Sequence, residues 1–116
     1  MSKHDPRVSM SQMRDYAREG VALMAGKTRA DLDKDRLLNL AIVRVLEVLG
    51  EAARRVPERV RAEHRHIQWP RIVGLRNRLI HEYDVVDFDV VMQIVHDDLP
   101  PLIAALDEIL GAPRKP

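Results

Sequence analysis

The apolar stripe between residues 37 and 53 limits the folds open to this chain more than any other feature of its sequence. Apolar side chains recur there every three or four residues, the spacing that places them on one side of an α-helix. The stripe is wide enough to face two neighbours, so we expect a central helix that packs on both sides. Gly50 lies inside it, and a glycine costs a helix about 1 kcal/mol relative to alanine, so we expect close packing there. The stripe consists of Leu37, Leu38, Ala41, Ile42, Val45, Leu46, Leu49, Ala52 and Ala53.

The same helical spacing extends over most of the remaining chain. A first helix is predicted from Asp5-Pro6 to about Gly26, because proline is well suited to the first helical position and glycine to a helix end. Its apolar positions are Val8, Met13, Tyr16, Ala17, Val21 and Met24, and Thr28 and Asp31 are candidate N-caps for a following turn.

Prolines punctuate the second half of the chain. A short helix is predicted over residues 57–64, and Trp69-Pro70 open a third main helix that ends between His81 and Tyr83. Asp87 is a candidate N-cap for a last helical region, from about Phe88 to Leu110, which Pro100-Pro101 must break or kink.

Four main helices with short connections predict an all-α, up-and-down helical bundle with a few short helical pieces. The 116 residues are expected to form one domain, 1–116, with residues 1–4 and 112–116 frayed. The chain contains no cysteine, which excludes disulfides and thiolate metal sites. No apolar run approaches the roughly 20 residues that span a bilayer, and the first residues form no apolar signal segment. We therefore expect a cytoplasmic protein with no membrane partner.

Polar chemistry is concentrated between residues 76 and 83, in Arg76-Asn77-Arg78-Leu79-Ile80-His81-Glu82-Tyr83. Arginine binds phosphate through a planar fork of donors, and histidine is the side chain best suited to moving protons near neutral pH. On a helix that continues through this segment, His81 is a neighbour of Asn77 and Arg78. Arg76 then lies on another side, unless the helix ends before His81.

Metal-free RNA cleavage needs little more than these residue types. A base takes the proton of the ribose 2′-hydroxyl, an acid protonates the departing 5′-oxygen, and a cation stabilises the phosphoryl charge. His81 fits either proton-transfer role, Arg76 the cation, and Asn77 the orientation of the imidazole. A single histidine does not readily perform both proton transfers, and a symmetric homodimer would supply a second copy of His81. The alternative is a solvated surface, on which Arg76 and Arg78 pair with acids and His81 occupies a helix C-terminus.

The spacing Arg-x4-His-x-Tyr, formed by Arg76, His81 and Tyr83, resembles the motif of the HepT-like branch of the HEPN superfamily. Three further blocks in the same order carry the resemblance over most of residues 5–110. These blocks are Leu49-Gly50-Glu51-Ala52-Ala53, the run from Ile67 to Asn77, and Asp97-Asp98-Leu99-Pro100.

The resemblance implies a dimeric helical toxin of a toxin–antitoxin pair that cleaves RNA, either tRNA or mRNA, without a cofactor. Its antitoxin would be a nucleotidyltransferase of the MNT type that transfers AMP from ATP to a tyrosine. By position, Arg76 and His81 are the implied catalytic residues and Tyr83 the implied acceptor. Asn77 matches the residue that usually follows the arginine, and Arg78 is a supporting candidate.

Other functions stay open at this level. The chain can instead be a non-catalytic binding module for a nucleotidyltransferase, or a purely structural helical dimer. A metal site is a weaker alternative, because its donors lack a recognised zinc spacing; they are His64, His66, His81, His96, Asp97 and Asp98. The net charge of +1 gives no general case for nucleic-acid binding. An RNA track would therefore depend on a local basic patch formed by Arg54, Arg55, Arg59, Arg61, Arg65 and Arg71.

Overall fold

Helices occupy most of residues 5–111, the range that the computed structural model describes. The predicted frayed segments, 1–4 and 112–116, lie outside the described residues. Within that range the prediction of an all-helical fold is confirmed, and the one β-type pairing is an isolated antiparallel bridge between Ile80 and Val86. The helices are α1 (Pro6–Met24), α2 (Arg29–Lys34), α3 (Arg36–Arg54), α4 (Glu58–Glu63), α5 (Trp69–Val73), α6 (Leu75–Leu79), α7 (Phe88–Gln93) and α8 (Leu99–Gly111). A 3-10 turn covers Glu82–Asp84, and a π-helical turn covers Ile94–Asp98.

Side-chain caps explain where several helices begin. The Asp5 carboxylate accepts a hydrogen bond from the backbone N–H of Arg7, with Pro6 next to it as predicted. Thr28 and Asp31 form a reciprocal capping box at the start of α2, so Thr28 is the cap and Asp31 its partner. Asp35 caps α3 by accepting from the N–H of Leu38. These bonds satisfy backbone donors that have no partner inside the helix.

The core lies where α1 packs against both α3 and α8, while α3 also contacts α5 and α6. The prediction that α3 faces two neighbours is therefore confirmed, and most of its stripe is buried. Leu37 is an exception, because it is exposed on the outer side of the first turn while Leu38 faces the core. Val8 is likewise exposed on α1, where Met10 and Met13 are buried instead.

Gly50 allows α5 to approach α3 closely. A Cβ atom at this position would lie 3.1 Å from the carbonyl oxygen of Ile72 and 3.5 Å from that of Val73. Contacts this short with backbone leave little room for a side chain. The expectation of close packing at Gly50 is thus confirmed.

The prediction of one continuous third helix from Trp69 to residues 81–83 is wrong. The helix is divided at Gly74, whose N–H bonds to the carbonyl of Pro70, and its second part ends at Leu79. Ile80 is already extended because it pairs with Val86, and the N–H of Asp87 donates to the Leu79 carbonyl at 2.8 Å. His81 and Tyr83 consequently lie in a loop.

The last helical region is interrupted just before its proline pair. Residues Ile94–Asp98 form a wide π-helical turn, and α8 begins at Leu99 with Pro100 and Pro101 in its first turn. Prolines have no N–H for the carbonyls four residues earlier, so the α-helical hydrogen-bond ladder cannot continue through them. The predicted break or kink thus takes the form of a π-helical turn just before the pair, and the chain stays helical on both sides of it.

Candidate functional site

Helix α6 and the loop after it hold the polar residues of the 76–83 segment. Leu75 and Leu79 are fully buried, so α6 is anchored in the core by its inner side. Arg76 and Asn77 lie on its outer side and are exposed, as is His81 in the loop. The segment therefore combines fixed backbone with solvent-accessible side chains, an arrangement that suits a binding or reactive site.

The imidazole of His81 is hydrogen-bonded to one carboxylate. Its Nε2 atom lies 2.8 Å from Oδ2 of Asp87, and the His81 side chain is 60% exposed. The other carboxylate oxygen of Asp87 accepts hydrogen bonds from the N–H groups of Asp89 and Val90. Asp87 is therefore the N-cap of α7, as the sequence predicts. The His81 bond, followed by the Val90 N–H, lowers the pKa of Asp87 below its ordinary value. Asp87 is therefore an anion near neutral pH.

Arg76 is positioned from a different element. Its Nε atom lies 3.8 Å from Oε2 of Glu47 on α3, a long ion pair, and the Arg76 side chain is 64% exposed. Glu47 is also 3.7 Å from Arg44, so two arginines share one carboxylate. Neither a hydrogen bond nor an ion pair joins Arg76 to His81 within the described chain. An exposed, loosely paired guanidinium is available to a phosphate.

Arg78 differs from Arg76 because its partner is a nearly buried carboxylate. It donates to Asp98, whose side chain is only 8% exposed and which also accepts from Arg71 at 3.3 and 3.4 Å. This three-residue ion cluster joins α5 and α6 to the π-helical turn. Arg78 is 22% exposed, so most of its surface is already occupied.

Tyr83 lies at the tip of the loop and is 95% exposed. Tyr83 and Asp84 both have positive φ, 60° and 59°, and the N–H of Val85 donates to the Glu82 carbonyl. These are the features of a type I′ β-turn. The His81 N–H donates to the Val85 carbonyl at 2.8 Å, which closes the base of the loop. The turn presents the phenol to solvent two residues from His81.

Two arginines of the basic segment have structural partners. Arg61 donates to the carbonyls of Ala53, Arg54 and Val56 at the end of α3, and its guanidinium lies over the Trp69 ring. Arg71 is in the Asp98 cluster. The remaining members of the predicted track are exposed; they are Arg54, Arg55, Arg59 and Arg65.

Among residues 5–111, no group of three or more histidine and carboxylate side chains is gathered as a metal site would require. None of the helices in this range combines the length and the apolar character that crossing a bilayer demands.

Sequence reasoning missed Glu47, named Asp98 only as a possible metal donor and as part of a block of the resemblance, and identified Asp87 only as a helix cap. The Asp87 contact had a local signal, because an N-cap that follows a short loop lies close to that loop's base. Glu47 and Asp98 had none, because their partners are distant in the sequence.

Comparisons with known proteins agree on one family. The family model described as "Ribonuclease HepT-like" matches residues 9–109. "Putative RNase TTE0752" of Caldanaerobacter subterraneus subsp. tengcongensis is 38% identical over 80 residues, 69% of this chain and 71% of that protein. "Probable ribonuclease HepT" of Thermococcus cleftensis is 32% identical over 75 residues, 65% of this chain and 68% of that protein. "Putative RNase MJ1380" of Methanocaldococcus jannaschii is 28% identical over 102 residues, 88% of this chain and 94% of that protein. No solved structure matches the chain.

Proposed function

Because the chain belongs to the ribonuclease HepT-like family, we propose that it is the toxin of a toxin–antitoxin pair and cleaves RNA without a metal ion. The observation that carries the proposal is the exposed pair of Arg76 and His81, each held by a carboxylate from another part of the fold. These are the two side-chain types that a metal-free phosphodiester cleavage uses.

In the proposed reaction the ribose 2′-oxygen attacks the adjacent phosphorus. His81 takes the 2′-hydroxyl proton, the bond from phosphorus to the 5′-oxygen breaks, and the departing oxygen receives a proton from an acid. Arg76 binds the phosphoryl oxygens, and its exposure in the single chain leaves it free to do so. Asn77 is exposed beside it and supplies a further hydrogen bond to substrate. Arg78 supports the site through Asp98, by fixing helix α6.

The second proton transfer is assigned to another copy of His81 in a homodimer. One surface supports this arrangement: Leu37, Leu40, Arg44 and Glu47 share a side of α3, and both leucines are exposed. Glu47 is the partner of Arg76, so a second copy bound along this side would lie next to Arg76. Leu40→Glu is expected to abolish both dimerisation and cleavage, whereas Val8→Glu, an exposed site on α1, changes neither. A monomeric Leu40→Glu protein with full activity would refute the dimeric site.

Regulation is proposed to act at Tyr83. An MNT-type nucleotidyltransferase antitoxin transfers AMP from ATP to the phenol, whose position at a turn tip makes it accessible to another enzyme. The phenol oxygen forms a bond to the α-phosphorus, its proton goes to a base, and pyrophosphate leaves. The added phosphodiester is anionic and lies two residues from His81, where it would repel an RNA phosphate.

The same exposure favours a second candidate. A non-catalytic binding module for the nucleotidyltransferase would also present Tyr83 at a loop tip. It would not need His81 for chemistry.

The deciding experiment is cleavage of tRNA and total RNA in excess EDTA by unmodified protein of confirmed mass. His96 is an exposed histidine outside the motif, so His96→Ala is the matched control for His81→Ala. The ribonuclease proposal expects cleavage by the wild type and His96→Ala, and none by His81→Ala. Equal cleavage by all three, or by none, would refute the proposed role of His81, and complex formation without cleavage would favour the binding module.

A further inference from the structure

The contact between His81 and Asp87 restricts which nitrogen of the imidazole is available for chemistry. Asp87 directs Oδ1 to the backbone N–H groups of Asp89 and Val90, at 2.9 and 3.3 Å, and Oδ2 to His81. Its own N–H donates to the Leu79 carbonyl at 2.8 Å. The carboxylate is thus fixed from the last residue of α6 and from the first turn of α7.

A carboxylate anion accepts hydrogen bonds and donates none. The ring nitrogen in contact with it must therefore carry a proton, and that nitrogen is Nε2. When His81 is neutral, its single ring proton then lies on Nε2, and Nδ1 carries the free lone pair. Among the described residues, Asp87 is the acidic side chain hydrogen-bonded to the ring, and Asp89 pairs with Arg29 instead.

We propose that Asp87 is a positioning residue for RNA cleavage, which holds neutral His81 in the Nε2–H tautomer and makes Nδ1 the atom that takes the 2′-hydroxyl proton. This inference rests on the proposed function. In the step, the proton moves from the 2′-oxygen to Nδ1, and the oxygen's electron pair forms the new bond to phosphorus. The bond to the 5′-oxygen breaks, and that oxygen takes a proton from the protonated imidazole of a second copy of His81.

Asp87→Asn separates this role from helix capping. Asparagine is as good an N-cap as aspartate, so its oxygen stays on the α7 amides and its NH2 group faces His81. An NH2 donor requires a lone pair on Nε2, which reverses the tautomer and places the proton on Nδ1. The matched control is Asp35→Asn, because Asp35 caps α3 in the same manner, through Leu38, and no imidazole hydrogen-bonds to it among the described residues.

Two measurements test the inference. Long-range 1H–15N NMR of neutral His81, in protein without RNA, is expected to show Nε2–H in the wild type and in Asp35→Asn, and Nδ1–H in Asp87→Asn. Cleavage by Asp87→Asn is expected to lose about 100-fold in kcat with little change in KM, within the range that general acid–base groups contribute. Asp35→Asn is expected to keep the wild-type kcat.

The outcomes are separable. An Nδ1–H tautomer in the wild type, or the same tautomer in the wild type and Asp87→Asn, would overturn the inference. An equal loss of kcat in both asparagine variants would also overturn it, because only capping would then matter. If the wild type cleaves no RNA, the proposed function fails by itself, while the tautomer measurement still decides whether Asp87 orients His81.

Discussion

Replacing Asp98 by asparagine is expected to destabilise the protein because it leaves a partly buried arginine without its counter-ion. Asparagine preserves the shape and one acceptor but removes the charge that Arg78 and Arg71 share. Breaking a fully buried ion pair costs about 3–5 kcal/mol, whereas an exposed pair contributes at most about 1 kcal/mol. Asp98 is 8% exposed and Arg78 is 22% exposed, while Arg71 is about half exposed, so the loss should lie between these limits. We expect about 2 kcal/mol, or roughly a 30-fold change in the folding equilibrium.

Urea denaturation followed by circular dichroism measures this loss. With a slope of about 1.5 kcal/mol per molar urea, the midpoint of Asp98→Asn should fall by roughly 1.3 M. Asp97→Asn is the control, since the Asp97 side chain is exposed and makes no hydrogen bond or ion pair with the described residues, and its midpoint should hardly change. Arg78→Gln combined with Asp98→Asn should cost less than the two single changes added together. Equal midpoints for the two asparagine variants, or strict additivity with Arg78→Gln, would refute the reasoning.

Three other perturbations have defined outcomes. Gly50→Ala should lower the free energy of unfolding by about 1 kcal/mol in thermal denaturation, because its Cβ would meet the Ile72 carbonyl at 3.1 Å. In an open helix the same substitution usually raises this free energy by about 1 kcal/mol, and such a gain here would contradict the packing argument. Since the pKa of Asp87 is lowered in the folded protein, its contribution to stability is present above its unfolded pKa and lost as the pH falls through the folded value. Between about pH 5 and pH 2, the free energy of unfolding should therefore fall less in Asp87→Asn than in the wild type. Identical pH profiles of stability for the two proteins would exclude this linkage. Tyr83→Phe should keep cleavage and escape AMP transfer from ATP labelled at the α-phosphate, and a labelled phenylalanine variant would show that another residue is the acceptor.

The predictable part of the fold is the part set by neighbours in the sequence. The α3 stripe, the caps at Asp5 and Thr28, and the close packing at Gly50 all follow from local spacing or residue type. Leu37 was misplaced because it is apolar and lies on the edge of that stripe, and only packing decides which edge residues are buried.

The end of the helix after Leu79 could not be read locally. Every residue from Asn77 to His81 is compatible with a helix, and the chain leaves it because Ile80 pairs with Val86. That pairing gains a second bond from Asp87 to the Leu79 carbonyl. Local propensity is overridden here by contacts that form only when the loop closes.

In the candidate site, too, local features could be predicted from the sequence and contacts between distant residues could not. The residue types of the 76–83 segment were evident from the sequence, but the carboxylates that orient them were not. Arg76 and Arg78 are chemically equivalent in the sequence. Only their partners, Glu47 and the more buried Asp98, distinguish a loosely paired, exposed guanidinium from a largely occupied one.

The turn at Tyr83 has a consequence for laboratory evolution of this protein. Two consecutive residues that are not glycine adopt positive φ there, a conformation that costs L-residues roughly 1 kcal/mol each. Asn-Gly or Gly-Gly would relieve that strain, so a screen that rewards heat resistance alone should enrich such replacements at these two positions. Variants selected in this way would have lost the phenol, and their improved melting temperatures would hide the loss of the proposed control by AMP transfer.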